Sequence, residues 1–186
     1  MNIIVITACG KIVCRPDTTW ERDNEDLYLP DFVSHLEYAP VAFARICKPG
    51  RSVGSRFVSR YHDGFGFGVL LYPVELMDGT PEGYAQACCL DHTSLLPTPF
   101  LEYADEGSAF TLKASDTVLG AFSPKVREMM DIALVEATRR IYVRTGDIIA
   151  VELGPRRAFY SREDGNVRME GTYGERKLLD FNIIVE

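Results

Sequence analysis

The sequence predicts an α+β domain that is rich in strands and poor in helices. Short β-prone apolar segments recur from end to end: "NIIVIT" at 2–7, "FGFGVLLY" at 65–72, "GDIIAVEL" at 146–153 and "DFNIIV" at 180–185. One long segment, 123–142, carries a helical period instead. The repeating strand–helix alternation of a doubly wound parallel sheet is missing.

The elements follow in order. Residues 2–7 form a first strand, and "KIVCRPDTTW" continues extended until Pro16 ends its pairing. "ERDNED" at 21–26 is a polar loop. The apolar stretch 27–50 holds strands near 27–29 and 41–47 and closes on a Lys48-Pro49-Gly50 turn. Ser52 is placed to cap a helix over about 53–62, with Val53, Phe57 and Tyr61 on its buried face and Arg56 and Arg60 on a polar stripe. Residues 65–72 read as a strand buried on both faces and stopped by Pro73. A Gly/Pro turn region covers 78–84, "LLPTPF" is extended, and "AFTLKAS" alternates as a strand. Ser123-Pro124 signals a helix start. Val126, Met129, Met130, Ala133, Leu134, Ala137 and Ile141 give that helix one apolar face, with Arg139, Arg140 and Arg144 at its C-terminal end. The strand at 146–153, then a turn and a last strand within 171–186, complete the chain. Without repeats or a linker, residues 1–186 read as one domain.

Composition narrows the function classes. The 186 residues are 46% hydrophobic and 25% charged, with a net charge of −7. That balance argues against a nucleic-acid or anionic-membrane partner, which would need a basic face. Cys9, Cys14, Cys47, Cys88 and Cys89 are odd in number and contain no C-x-x-C, so they read as reduced cytoplasmic thiols rather than a disulfide or zinc framework. "MNIIVITACG" lacks a cationic lead, so it reads as a strand and not as a signal peptide.

Two glycine motifs invite a catalytic reading. Gly64-Phe65-Gly66-Phe67-Gly68 lacks the Lys-Ser/Thr ending of a phosphate loop and leads into a strand, so close backbone packing is the expectation. Gly50-Arg51-Ser52-Val53-Gly54 matches a nucleophile elbow, for which Asp63 and His92 would be the downstream partners. The short chain and the missing βαβ repeat favour a capping serine instead. His35, His62 and His92 show no metal spacing, and Asp78, Glu82 and Asp91 read as solvated loop charge.

Several segments together resemble the fumarylacetoacetate hydrolase family. "CRPDTTW" (14–20) is similar to its early Lys-Pro-x-Ser-x-Leu segment, and residues 29–71 to its central strand–helix–strand. "RTGDIIAVELGP" and "ERKLLDFNIIVE" are similar to its Gly-Asp turn, Gly-Thr-Pro strand and last strand. The resemblance implies a mixed β-roll or barrel, a homodimer, and metal-assisted hydrolysis of a carbon–carbon bond in a β-diketo acid. It implies Mg²⁺ or Mn²⁺ on a Glu-x-Glu pair and an Asp, followed by a lysine, with a His/Glu pair on an N-terminal lid.

The sequence departs at each of these places. After Tyr38, the Glu-x-Glu positions hold Ala39 and Val41, and the metal Asp falls at Leu70. The Thr-x-Arg-Asp positions fall at Tyr72, Val74 and Glu75, and the lysine at Cys88. The lid, expected between Thr7 and Lys11, is essentially absent, and "VELGP" lacks the family's threonine. The leading expectation is a non-catalytic binding or regulatory member, without metal or cofactor. It would act as a homodimer or beside an active relative, with a small acidic ligand as a further candidate partner. The alternative is an active hydrolase or decarboxylase with relocated residues, the old pocket being lined by Arg60, Glu75, Cys88 or Cys89, and Asp91. A serine hydrolase using Ser52 is the distant third.

Overall fold

The computed structural model describes residues 1–102 and 108–185. In chain order the strands are β1 (Asn2–Ile6), β2 (Ile12–Pro16), β3 (Trp20–Glu21), β4 (Leu27–Tyr28), β5 (His35–Ile46) and β6 (His62–Pro73). Helix α1 (Pro81–Ala87) precedes β7 (Ser94–Leu95), β8 (Phe110–Ala114) and β9 (Thr117–Phe122). Helix α2 (Val126–Thr138) leads to β10 (Ile148–Glu152), β11 (Arg157–Ser161), β12 (Val167–Tyr173) and β13 (Arg176–Ile184).

The strands build two mixed sheets. An eight-stranded sheet runs β2-β1-β10-β5-β6-β7-β3, with β11 also pairing β5; a five-stranded sheet runs β4-β13-β12-β8-β9. With two α-helices among the described residues, the expected α+β class with a curled mixed sheet is what forms. No helix among the described residues is long and apolar enough to cross a membrane.

The long antiparallel pair β5–β6 is the spine, and it is buried on both faces. That explains its continuous apolar run. Leu36, Tyr38, Ala42, Ala44 and Ile46 of β5 and Phe65, Phe67, Val69 and Leu71 of β6 face the main core. Phe67 joins the two sheets there, its ring 5.1 Å from Phe110 of β8 and 4.7 Å from Tyr173 of β12. The opposite face presents Ala39, Val41, Phe43, Leu70 and Tyr72 to a second, smaller apolar cluster.

The glycine run belongs to this spine, as close packing requires. Gly66 lies opposite Phe43, whose ring fills the space a Cβ would take; a Cβ on Gly68 would strike the Leu95 carbonyl. Backbone cannot retreat as a flexible side-chain tip can. Gly68→Ala is therefore expected to destabilise the fold by about 1–3 kcal/mol, read by urea unfolding. An unchanged midpoint would contradict this account of the run.

Pro40 sits inside β5, which reaches well upstream of the 41–47 strand expected from sequence. The outer neighbour of β5 changes at this point, from β10 (residues 41–45) to β11 (residues 35–38). Pro40 keeps its carbonyl useful by accepting from Leu153 N–H at 2.8 Å, and its missing N–H falls in the gap between two partners.

Three helix expectations need correction. No α-helix forms over 53–62: that stretch is irregular, with a 3₁₀ turn at Val58–Arg60, and β6 already begins at His62. Val53 and Val58 are buried, but Phe57 is 54% exposed, so the i, i+4 stripe is not used. Gly54 and the β-branched valines favour that outcome. Helix α2 starts at Val126 after an uncapped Lys125 and ends at Thr138, inside the expected 123–142, although Val126, Met130, Ala133, Leu134 and Ala137 do form its buried face. In the expected turn at 78–84 stands α1 instead, with Thr80 as N-cap, its side chain accepting from Gly83 N–H at 3.0 Å, and Pro81 in the first turn.

Candidate functional site

The smaller apolar face of the spine gathers Ala39, Val41, Leu70, Tyr72 and Cys88 of the positions singled out by the sequence. Ala39 is directly opposite Leu70 in the β5–β6 register. Val41 packs in the same cluster, and all three side chains are fully buried. Ile3 and Val5 of β1, Ile148 and Ala150 of β10, Leu96 and Cys88 close around them. The three offer only hydrocarbon, so this floor does not fit a hard cation, which takes oxygen ligands.

A polar cluster lies beside that floor. Tyr72 donates its hydroxyl to Glu152 Oε1 at 2.8 Å, while Glu152 Oε2 accepts the Ala8 N–H at 2.8 Å. The Tyr72 ring stacks on Tyr84 of α1, centroids 6.0 Å apart and 13° from parallel. Arg156 lies over both rings, at 5.1 and 5.0 Å. Burial pushes the Tyr72 hydroxyl well above its ordinary range, against the opposing pull of Arg15. Tyr84 is pushed up to about 12, by burial first and then by neighbouring Cys88. Both therefore stay neutral hydrogen-bonding phenols near neutral pH.

Arg15 is the unexpected member. It alternates in phase with Val13 on β2 and so turns inward, opposite Ile3. Its side chain reaches the Thr93 carbonyl (2.9 Å), Ser94 Oγ (2.8 Å), the Leu71 carbonyl (2.7 Å) and the Ala87 carbonyl (3.5 Å). Its guanidinium carbon sits 4.7 Å from the Tyr72 ring centre. Every one of these partners is a carbonyl, a hydroxyl or a ring. Its Nε is the single buried side-chain nitrogen or oxygen without a hydrogen bond among the described residues.

Of the other candidates, all but Cys88 lie apart. Cys88 joins the cluster and is 1% exposed. Glu75 follows β6 on a 3₁₀ turn and holds His35 Nδ1 at 2.8 Å. Arg60 is exposed on its own turn, its guanidinium over the Phe57 ring at 5.8 Å. Asp91 is exposed and borders a cavity alongside Glu25 and His92, and Cys89 is also exposed. No hydrogen bond or ion pair joins Arg60, Glu75, Cys88 and Asp91 to one another among the described residues.

Ser52 caps no helix. It adopts a left-handed conformation with φ of 52°, and its N–H donates to the Thr138 carbonyl at 2.8 Å, pinning the 50–53 turn to the end of α2. Its two sequence partners are engaged elsewhere: Asp63 with Arg45 at 2.8 and 3.0 Å, and His92 with Glu21 at 3.1 Å. Sequence reading missed Arg15, Glu152 and the Glu21–His92 contact. An arginine in phase with the inward-facing Val13 of β2 was the available signal for the first; the other two join residues far apart in the chain, which no local pattern reports.

Comparison with known proteins gives the fold a wider setting. No family model matches the chain, and no curated protein matches it in sequence. Solved structures do match over its whole length. Fumarylpyruvate hydrolase from Pseudomonas aeruginosa, solved with Mn²⁺ and pyruvate, aligns with a TM-score of 0.80 at 14% identity, covering 100% of this chain and 90% of its own. A protein from Yersinia pestis assigned to the fumarylacetoacetate hydrolase family gives 0.78 at 14%, covering 98% and 92%. The 5-carboxymethyl-2-hydroxymuconate delta-isomerase from Mycobacterium smegmatis gives 0.80 at 12%, covering 100% and 79%. At these identities the likeness establishes a shared fold.

Proposed function

We propose that this chain is a fumarylacetoacetate hydrolase-like protein that does not perform metal-dependent carbon–carbon bond hydrolysis and works as a non-catalytic binding or regulatory subunit. The observation that carries the reading is the apolar floor. Ala39, Val41 and Leu70, the positions that the sequence resemblance aligns with the family's metal ligands, lie on one buried face. A divalent ion there would meet three hydrocarbon side chains and no water, a heavily penalised setting for a charge. The nearby groups are already committed. Both oxygens of Glu152 accept hydrogen bonds, and Cys88 is too buried to meet a substrate.

In this reading the partner is a second copy of the chain or an active relative beside which it serves. The five cysteines, all free, agree with a reducing cytoplasmic setting. The test is turnover. Purified protein given an acylpyruvate with saturating Mn²⁺ or Mg²⁺ is expected to release no pyruvate above the uncatalysed rate. Enzyme-proportional release of pyruvate would overturn the proposal.

A further inference from the structure

The loop between β3 and β4 meets the turn that follows α1. β3 and β7 pair in parallel, with Trp20 opposite Ser94 and Glu21 opposite Leu95. Leu96 N–H donates to the Glu21 carbonyl at 2.9 Å and Thr98 N–H to the Arg22 carbonyl at 3.0 Å, so the two segments are fixed to each other. At their junction one carboxylate oxygen each of Glu21 and Glu25 and a ring nitrogen of His92 all lie within 4.8 Å of one another. Glu21 is 6% exposed. Its Oε1 accepts the Asp23 N–H at 2.6 Å and the Glu25 N–H at 3.3 Å, which aims Oε2 at His92 Nδ1, 3.1 Å away. The Glu25 carboxylate has no hydrogen bond or ion pair among the described residues. Separately, a cavity of about 690 Å³ opens beside the cluster. Asn24, Glu25, Asp26, Asp91 and His92 line it, and neither lysine nor arginine does.

We propose that Glu21, Glu25 and His92 bind a divalent transition-metal ion, with Zn²⁺ the best match. One imidazole nitrogen and two carboxylate oxygens make a mixed donor set that suits Zn²⁺, whereas Mg²⁺ prefers an all-oxygen octahedron. Two ligands on one tetrahedral ion with bonds of about 2.0–2.1 Å stand about 3.3 Å apart, close to the Glu21–His92 separation. Glu25 closes the third position by a side-chain adjustment, which its exposure and lack of partners permit. A cation also balances two carboxylates, of which the buried Glu21 alone is paired with the half-exposed His92 imidazole. Glu25 and His92 also line the cavity, which leaves room for water as a fourth ligand. His92 would bind the ion through Nδ1, the atom that faces Glu21 Oε2. The site shares no residue with the apolar floor and stands or falls independently of the function proposed above.

Titration calorimetry of the metal-free full chain with Zn²⁺ at pH 7.5 tests it. One Zn²⁺ per chain is expected, undisturbed by excess Mg²⁺. Glu25→Gln and His92→Ala are each expected to weaken binding at least about ten-fold. Their metal-free melting temperatures should stay near that of the unmodified protein; Glu21 is left intact because its burial gives it a structural role as well. Co²⁺ substituted for Zn²⁺ should show no thiolate charge-transfer absorption. Absence of Zn²⁺ binding, undiminished binding by both variants, or a thiolate band assigning the metal to cysteine would each overturn the proposal.

Discussion

Arg15→Ala is expected to lower the unfolding free energy by about 3–5 kcal/mol, the largest loss of any single substitution considered. The guanidinium bridges three segments: the end of β6 through the Leu71 carbonyl, the end of α1 through the Ala87 carbonyl, and the approach to β7 through Thr93 and Ser94. Truncation takes the side-chain donor from the Leu71 and Ala87 carbonyls, at about 1–3 kcal/mol for each buried acceptor left unpaired, and opens a cavity under Tyr72; the Thr93 carbonyl keeps the Leu71 N–H and Ser94 Oγ keeps Thr19 Oγ1. Removing a buried cation recovers some desolvation energy, which is why the expected loss is not larger. Arg15→Met separates these effects, because it refills the volume without restoring any donor. It should fall between the wild type and Arg15→Ala. Arg15→Lys should not rescue stability, since one ammonium cannot span the forked contacts. Urea unfolding with an unchanged slope is the measurement. A loss within about 0.5 kcal/mol, the range of ordinary surface changes, would mean that the bridge holds nothing together.

The triple variant Ala39→Glu, Val41→Glu, Leu70→Asp is expected to be severely destabilised without metal and partly recovered by Mn²⁺. The β5–β6 register sets Leu70 directly across from Ala39, with Val41 on the same face, so three new carboxylates would converge. Each carries a penalty of several kcal/mol when buried and unpaired, and their mutual repulsion adds to it. An ion that binds only the folded form returns stability in proportion to the logarithm of its concentration. The readout is the Mn²⁺-dependent rise in melting temperature of the variant beyond that of the unmodified protein. Acylpyruvate cleavage is not expected to return, because the sequence resemblance aligns neither a lid base nor a lysine with any residue of this chain able to take its role. A variant that folds but gains no response to Mn²⁺ would show that these three positions cannot share an ion.

What the sequence revealed depended on how local the cause was. The strand at 65–72 was legible because a run buried on both faces needs only apolar residues, and its glycines could be traced to close packing, which the Phe43 ring against Gly66 and the Leu95 carbonyl against Gly68 supply. The buried face of α2 was legible from its period. Its start was not, because Ser123-Pro124 carries the local signal of a helix start while the first helical turn forms at Val126. The false helix at 53–62 had a plausible cap and an apolar stripe. Tertiary contacts decided otherwise: the Gly50–Val143 bridge and the bonds from Ser52 and Val53 to Thr138 hold that stretch as a turn. Strand alternation puts Ala39 and Val41 on one face; that this face looks at Leu70 was implied by the family resemblance, and the β5–β6 register has Ala39 opposite Leu70. Arg15, Glu152 and the Glu21–His92 contact needed the fold itself.

The parallel pairing of β1 with β10 sets a schedule for the growing chain. Ile3 through Ile6 wait for Ile148 through Val151, which are made about 145 residues later. At roughly 5–20 residues per second that interval is on the order of ten seconds. During it the hairpin with β2 covers one edge of β1, while the edge that β10 will occupy stays bare. β5 is in the same position, since β10 is also its neighbour. Two apolar strands made early therefore share β10 as a late partner, with β11 completing the open edge of β5 later still. In the newborn chain, escape from misassociation depends on how quickly those five residues emerge and insert between them.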